Sequence, residues 1–442
     1  MLKKFAVGVA LGVALSCGTA LATDVLNISI ATAGQYEIQY WVPFGSLQDS
    51  VPGLAHVLEH LKFAYGGPHS MDGLKAIQGS VTGASTNYRY TQYEVNVTAE
   101  HVAEALQTLS HVAGPLPINE AELAREKQVV SQELIERQNT NPDGPFIEVF
   151  TRKLMEGTPY AALPGGTLET VAKVTMDDVA RFNAAHYETT NGFLIIAGPP
   201  LSPELHDAVK ASFPNAKTAV VAIDEQRRAK IQDEGLVAAP VFLPSVAPFS
   251  IAPEHFRIVG TSSHVSSTRL IFSKLIPATQ TSKQALVIAI VEAAMNSRLP
   301  EGLTDVISED AGLVQNFQVS IDGNLPNVLR LDLAANLVDG VSVEQVTSAY
   351  QAWLAKLALE GLSEKTFNRI KARFFLHDEW DDVEERLRAL SAMTAEFGFE
   401  KASSTRTALQ DLKLEDANVL LKLFAQDGRD GLAVLQPKGG TP

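Results

Sequence analysis

The sequence predicts an α+β protein of two homologous halves, each a mainly antiparallel sheet with helices packed on one side. Segments typical of strands and helices are mixed without the strict alternation of a parallel sheet. A helix start at 175–178 precedes an apolar strand at 192–196. A similar pair, at 413–416 and 431–435, follows 238 and 239 residues later (413 − 175 and 431 − 192). We therefore expect the second half to be a diverged copy of the first.

The boundary between the halves is predicted at residues 224–256. This stretch is charged at first and then carries prolines at 240, 244, 248 and 253. Such spacing disfavours a helix or a central strand and is typical of an extended linker. The domains are thus expected at 23–223 and 257–442, and a chain of 442 residues with 45% hydrophobic content can support two cores.

The first 22 residues have the pattern of a signal peptide. Lys3 and Lys4 precede an apolar run at 5–16, and Ala20-Leu21-Ala22 matches a cleavage site. Cleavage near Ala22 removes the single cysteine, Cys17; lipid attachment at Cys17 is the alternative. We expect export, to a bacterial periplasm.

Charge and hydropathy exclude two classes of partner. The net charge is −15, whereas nucleic acids and anionic lipids require basic patches. The leader's apolar run is too short to span a membrane, and no later run is long or charge-free enough.

A His-Val-Leu-Glu-His segment carries the strongest functional signal. In a helix, His56 and His60 lie on one face with Glu59 beside them. Two neutral imidazoles so spaced can bind one metal ion, at about 2.0–2.1 Å for zinc. The order H-x-x-E-H is the inverted zinc-peptidase motif. We predict its helix over residues 54–63, with Ser50 as the cap.

A second helix, predicted over residues 119–138, is the expected source of a third ligand. Asn119 and Glu122 form a capping pair at its start. Glu126 and Glu133 are two turns apart on one face, so one can bind metal while the other supports the site. The alternative is an ordinary solvated surface helix.

Residues 88–97 alternate and are rich in aromatic and β-branched side chains, which is typical of a strand. As an edge strand this segment could accept an extended peptide as an added strand. The alternative is an ordinary sheet strand with packed tyrosines.

With these segments the chain resembles the pitrilysin/insulinase metallopeptidases, whose shorter members include the mitochondrial processing peptidase subunits. Residues 53–63 resemble the family's metal helix, and residues 126–133 its third-ligand helix. The resemblance implies that His56, His60 and Glu133 bind one zinc ion per chain.

The resemblance also implies catalytic and substrate-binding roles. Glu59 is the expected general base, and Glu126 an auxiliary acid at the site. Residues 83–87, with Thr91 and Tyr93, resemble the strand that holds substrate backbone. This assigns peptide binding to Ala84, Ser85 and Thr86.

The implied function is a zinc endopeptidase that hydrolyses short or unfolded peptides. Active relatives also use an arginine and a tyrosine from a second half; the comparable positions here are Ser308 and Gln315. We therefore expect a heterodimer with a homologous metal-free subunit that supplies this pair; a homodimer is the alternative. Later matches follow the family's order, and His186 among them is interpreted as structural.

Two non-hydrolytic functions are the alternatives. One is a scaffold or assembly subunit, like the family members in the respiratory cytochrome bc complex. The other is a peptide-binding protein that keeps a metal for structure, which an open fourth ligand position disfavours.

Overall fold

Two β-sheets, one in each half of the chain, organise the fold. The computed structural model describes residues 24–30, 33–187, 192–214, 217–224, 227–232, 246–278, 283–308, 311–376 and 409–438. The predicted signal peptide lies outside the described residues, as does part of the predicted linker, residues 233–245.

The first sheet has seven strands. They are β1 (Asp24–Ile30), β2 (Tyr36–Val42), β3 (Val81–Thr86), β4 (Thr91–Val97), β5 (Phe193–Gly198), β6 (Lys217–Asp224) and β7 (Arg227–Gln232). Their order is β3-β4-β2-β5-β1-β6-β7. Neighbours are antiparallel except at β1, which is parallel to both β5 and β6.

The second sheet repeats five of these strands. They are β8 (Glu254–Ser262), β9 (Arg269–Pro277), β10 (Val314–Asp322), β11 (Val328–Leu337) and β12 (Arg429–Pro437). The order β10-β11-β9-β12-β8 reproduces β3-β4-β2-β5-β1. The one parallel pair, β8 with β12, corresponds to β1 with β5. The predicted pair of homologous, mainly antiparallel halves is therefore confirmed.

Helices complete each half. The first half contains α1 (Leu54–Ala64), α2 (Met71–Leu74), α3 (Val102–Ala113), α4 (Glu120–Thr140), α5 (Gly144–Leu154), α6 (Leu168–Lys173), α7 (Met176–His186) and α8 (Pro203–Ser212). The second contains α9 (Gln284–Met295), α10 (Thr304–Ile307), α11 (Val343–Glu360), α12 (Glu364–Leu376) and α13 (Leu414–Leu423). Within the described parts of the chain, none of the helices has the length and apolar character of a membrane span.

Two helix starts follow the predicted capping pairs. At α4, the side chain of Asn119 accepts from the N–H of Glu122 at 3.1 Å, and Glu122 accepts from the N–H of Asn119 at 2.9 Å. At α7, Thr175 and Asp178 make the same exchange at 3.2 and 3.0 Å. Both pairs satisfy N–H groups that have no partner inside the helix.

The predicted linker was too long at both ends. Residues 227–232 form β7, which pairs with β6, and β8 already begins at Glu254. The charged composition that suggested a linker also suits an edge strand, since edge strands commonly carry charge. The strand predicted at 88–97 is likewise shorter, because β4 begins at Thr91.

A separate apolar core fills each half. Representative buried residues of the first core are Ile38, Val57 and Leu106, and of the second Val291, Leu331 and Leu354. A smaller apolar cluster joins the halves. It contains Leu154, Met155 and Tyr160 from the first half and Ile251, Leu275 and Val328 from the second.

Helix α5 anchors the first half to the second sheet. Two glycines leave room for its aromatic side chains: a Cβ on Gly260 would lie 2.7 Å from the ring of Phe146, and one on Gly431 would lie 2.8 Å from the ring of Phe150. In addition, Arg429 donates to the carbonyl of Leu154 at 3.1 Å.

In the second half, helix α9 holds the edge strand β10 through side-chain to backbone hydrogen bonds. Asn296 donates to the carbonyl of Val319 and accepts from its N–H, both at 2.8 Å. Glu292 accepts from the N–H of Ile321 at 2.7 Å. Glu292 lies on α9, the helix that corresponds to α1, and Asn296 is the capping residue at its C-terminal end. The outward-facing backbone groups of Val319 and Ile321 are therefore bonded within the second half.

We expect Asn296→Ala to lower the free energy of unfolding by about 1–3 kcal/mol, because it leaves partly buried backbone groups of β10 without partners. Urea unfolding followed by circular dichroism measures this. The matched control is Asn316→Ala, which removes an exposed bond to Asn336 and should cost less than about 0.5 kcal/mol. Equal effects of the two substitutions would show that α9 does not hold the strand.

Candidate metal centre

Helix α1 is held at its start by Asp49. One carboxylate oxygen accepts from the N–H of Gly53 at 2.8 Å, and the other from the N–H of Ala55 at 2.9 Å. Burial raises the pKa of Asp49 to about 7, although the backbone hydrogen bonds act to lower it. The cap predicted at Ser50 was wrong. The turn at Gly53, with φ of 94°, brings the preceding aspartate over the end of the helix.

A glycine pair sets the approach of a neighbouring loop to this helix start. A Cβ on Gly166, whose φ is 69°, would lie 2.6 Å from the carbonyl oxygen of Pro52. A Cβ on Gly53 would lie 3.0 Å from the carbonyl oxygen of Gly165. The contact at Gly166 is closer than real Cβ atoms show and the one at Gly53 is unusually tight, so the loop at 163–166 packs directly against the backbone that precedes α1.

Helices α1 and α4 bring the three predicted ligands together. The Nε2 atoms of His56 and His60 lie 3.4 and 3.3 Å from Oε2 of Glu133. One donor atom from each residue falls within 4.8 Å of the other two. In the described parts of the chain, this is the one group of three or more such side chains close enough to hold an ion.

The donor set fits zinc. Tetrahedral zinc with bonds of about 2.0–2.1 Å separates its ligand atoms by roughly 3.3 Å. The observed nitrogen–oxygen distances of 3.4 and 3.3 Å match that separation. Two imidazoles and one carboxylate are a common ligand set of catalytic zinc and leave a fourth position open.

The electrostatics of the cluster favour a charged carboxylate. Hydrogen bonds from His56 and His60 hold the pKa of Glu133 well below its ordinary value. Burial acts to lower the pKa of His60, but its hydrogen bond to Glu133 and the neighbouring carboxylates outweigh burial and raise it. Glu133 is therefore ionised at neutral pH, the form in which a carboxylate binds metal.

Glu59 lies beside these groups and is almost fully buried, with 6% of its surface exposed. Its Oε2 accepts a hydrogen bond from the hydroxyl of Thr86, on β3, at 2.7 Å. Burial raises the pKa of Glu59 above its ordinary value, against the hydrogen bond from Thr86, which lowers it. A carboxyl group in such a setting is suited to accepting and returning a proton.

The part of the chain that contains this cluster matches a known protein family. The model of the insulinase family, peptidase family M16, matches residues 25–162, a range that contains all three candidate ligands and Glu59. Residues 25–162 are thus similar to an M16 peptidase domain.

Two curated relatives illustrate the sequence similarity. Zinc protease PqqE of Helicobacter pylori is 26% identical over 194 residues, which cover 42% of this chain and 43% of that protein. Coenzyme PQQ synthesis protein F of Pseudomonas aeruginosa is 26% identical over 315 residues, which cover 69% of this chain and 37% of that protein. The chain thus matches less than half the length of these relatives.

Solved structures confirm the M16 fold. A protease from Helicobacter pylori superposes with a TM-score of 0.71 at 18% identity, covering 93% of this chain and 96% of that one. Pitrilysin gives 0.73 at 18% identity, covering 94% of this chain but 44% of that one. A peptidase M16 inactive domain from Pseudomonas fluorescens gives 0.71 at 15% identity, with coverage of 95% and 97%.

Other groups of the first half surround the ligands. Glu126 is buried, with an oxygen 4.0 Å from Nδ1 of His60. It accepts from Arg125 at 2.9 Å. This position suits a residue that orients His60, since metal-binding histidines commonly have a carboxylate at their second nitrogen. Nδ1 of His56 is buried and has no hydrogen-bond partner among the described residues.

The predicted substrate-binding residues lie on the edge strand next to this cluster. Ala84, Ser85 and Thr86 belong to β3, the last strand of the first sheet, which pairs with β4 on one side. They line a cavity of about 1030 Å³ together with His56, His60, Glu133 and Glu59. The structure therefore brings every predicted site residue, Glu126 included, to one cavity.

Among the described residues, none from the second half lines this cavity. Its described lining residues all fall between positions 56 and 166, so neither Ser308 nor Gln315 is among them. His186, interpreted as structural, packs between the rings of Phe44 and Phe182 at centroid distances of 4.2 and 4.5 Å. Burial lowers its pKa, in keeping with a neutral side chain in an aromatic setting.

Sequence reasoning missed three contacts of the site. Asp49 holds the metal helix, the hydroxyl of Thr86 binds Glu59, and Arg137 binds Glu133. The position of Arg137, four residues after Glu133 on a predicted helix, was a usable signal, because such pairs face each other. The other two contacts depend on turns and strand positions that no local pattern specifies.

We expect Asp49→Ala to destabilise the chain by about 1–2 kcal/mol, because the first N–H groups of α1 lose their cap. Thermal unfolding of the metal-free chain measures the loss. Ser50→Ala is the matched control and should change stability by less than about 0.5 kcal/mol. A larger loss of stability for Ser50→Ala than for Asp49→Ala would show that Ser50 caps the helix.

Proposed function

We propose that this chain is a zinc endopeptidase subunit that hydrolyses short or unfolded peptides. The observation that carries the proposal is the convergence of His56, His60 and Glu133 beside a buried Glu59 in one large cavity. The name of the relative, zinc protease PqqE, supports the choice of metal and of reaction.

The residues divide the chemistry among themselves. His56, His60 and Glu133 are the proposed zinc ligands, one ion per chain. When bound, zinc polarises a carbonyl oxygen and makes water a better nucleophile near neutral pH. Glu59 accepts the proton of the attacking water and returns it to the leaving amine. Because Thr86 donates to Oε2 of Glu59, the other oxygen, Oε1, is the one proposed to receive the proton.

The edge strand β3 is the proposed peptide-binding element. A peptide can add to its free side as a further antiparallel strand, with main-chain hydrogen bonds that depend little on side-chain identity. Thr86 belongs to this strand and also contacts Glu59, so the added strand would run directly past the general base. Extended or unfolded segments fit such a site, whereas folded proteins do not offer a free strand.

A partner chain is the proposed source of further donors. Developing negative charge on the carbonyl oxygen needs hydrogen-bond donors, each worth on the order of 10²–10³ in rate. No described residue of the second half lines the cavity, and the chain covers 44% of the pitrilysin chain. We propose a heterodimer with a homologous metal-free subunit that supplies an arginine and a tyrosine; a homodimer is the alternative.

The proposed place of action is the bacterial periplasm. The basis is the pattern of residues 1–22, which combines two lysines, an apolar run and an Ala-Leu-Ala site.

A scaffold function is the second candidate. It is favoured by the similarity to an M16 inactive domain and by the absence of second-half donors from the described cavity lining. A scaffold requires neither zinc nor Glu59, so the two functions differ in a measurable way.

We expect the purified chain to retain one zinc ion and to cleave an unfolded peptide in a chelator-sensitive manner, alone or with its partner. Glu59→Gln should lower kcat by about 10²–10⁴ and leave the zinc content unchanged, because the general base is lost while the ligands stay. Zinc content by elemental analysis and peptide cleavage by mass spectrometry are the measurements.

The control for this experiment is Glu136→Gln, an exposed glutamate on α4 outside the cavity lining. It should cleave at the parent rate. If the parent chain holds no zinc and cleaves no peptide, either alone or with its partner, the proposed peptidase function is refuted and the scaffold function is favoured.

We expect the metal-free partner to raise kcat of this chain by at least about 10²-fold, as the loss of one oxyanion donor costs that much elsewhere. Initial rates with and without the partner, at fixed zinc occupancy, measure the effect. Equal rates would contradict the heterodimer while leaving the metal centre intact.

A further inference from the structure

Arg137 makes a contact with a proposed zinc ligand that the mechanism above does not use. Its Nη2 donates to Oε1 of Glu133, and the two residues are one turn apart on α4. Arg137 also lines the cavity. The guanidinium is thus bonded to a carboxylate oxygen of a proposed zinc ligand at the border of the cavity.

The two oxygens of Glu133 therefore have separate partners. Oε2 is the atom that approaches Nε2 of His56 and of His60, at 3.4 and 3.3 Å. Oε1 is bonded to the arginine instead. A carboxylate held in this way presents one oxygen to a metal, which keeps another ligand position for water or a peptide carbonyl.

The loop at 163–166 lies beside both Arg137 and His56. A Cβ on Gly165 would lie 3.4 Å from Nη1 of Arg137 and 3.7 Å from Nδ1 of His56. Both distances are those of ordinary van der Waals contacts, and both groups lie near the same point of the loop.

We infer that Arg137 is a positioning residue that fixes Glu133 as a one-oxygen zinc ligand. The inference rests on the proposed zinc centre and adds to it a residue that acts on the metal through Glu133. The ordinary alternative is a surface ion pair on a helix, since 59% of the Arg137 side chain is exposed and such pairs contribute little. The two interpretations predict different zinc affinities when the guanidinium is removed.

The test is the zinc affinity of Arg137→Met, which keeps the length of the side chain and removes the guanidinium. We expect the dissociation constant for zinc to rise about 10–100-fold, the usual effect of losing a group that orients a metal ligand. Competition with a chromophoric chelator at fixed pH gives the constant. The metal-free variant should unfold at the same temperature as the metal-free parent.

The matched control is Arg181→Met. Arg181 pairs with Asp177 at the same four-residue spacing on α7, with similar exposure and outside the cavity lining, and its loss should leave zinc affinity unchanged. An affinity of Arg137→Met within about twofold of the parent would overturn the inference while the zinc centre stands. A fall in affinity matched by a fall in the unfolding temperature of the metal-free chain would assign Arg137 a structural role instead. A parent chain that binds no zinc would refute the proposed function itself.

Discussion

The approach of one oxygen of Glu133 to two imidazole nitrogens is the contact on which the first half depends. It joins residues 77 positions apart (133 − 56) across two helices, at 3.4 and 3.3 Å. A partly buried group of three ionisable side chains is costly unless its charges are matched. Here the match is visible in a lowered pKa of Glu133 and a raised pKa of His60.

The surroundings of this contact limit its movement. Asp49 ties the first turn of α1, and the glycines at 53 and 166 let a loop pack against that turn without side chains between them. Glu126 and Arg137 lie behind His60 and Glu133. His60 and Glu133 therefore each have a charged neighbour, as expected of a site whose geometry has to be accurate.

The two halves have the same architecture but differ in how the helix beside the edge strand is used. In the second half, Glu292 and Asn296 of α9 bond to the backbone of the edge strand β10. In the first half, the corresponding helix α1 carries the histidine pair, and β3 keeps its outer side next to the cavity. Free strand edges invite pairing with other chains, so a protein gains from covering the edge that it does not use.

The sequence by itself determined the elements whose causes are local. The spacing of His56 and His60, the separation of Glu126 and Glu133, and the capping pairs at 119 and 175 all act within a few turns of one helix. The repeat of the two halves was visible as a constant offset between a helix start and the strand that follows it. Short-range patterns failed where a turn or an edge decided the outcome: the cap at Asp49 instead of Ser50, the charged strand β7 within the predicted linker, and the start of β4 at Thr91. Only the tertiary structure shows that the hydroxyl of Thr86 donates to Glu59. It also shows that Ser308 and Gln315 are not among the residues that line the cavity. Such contacts join residues far apart in the chain, and their energies depend on the packing of whole helices and sheets, which no local pattern encodes.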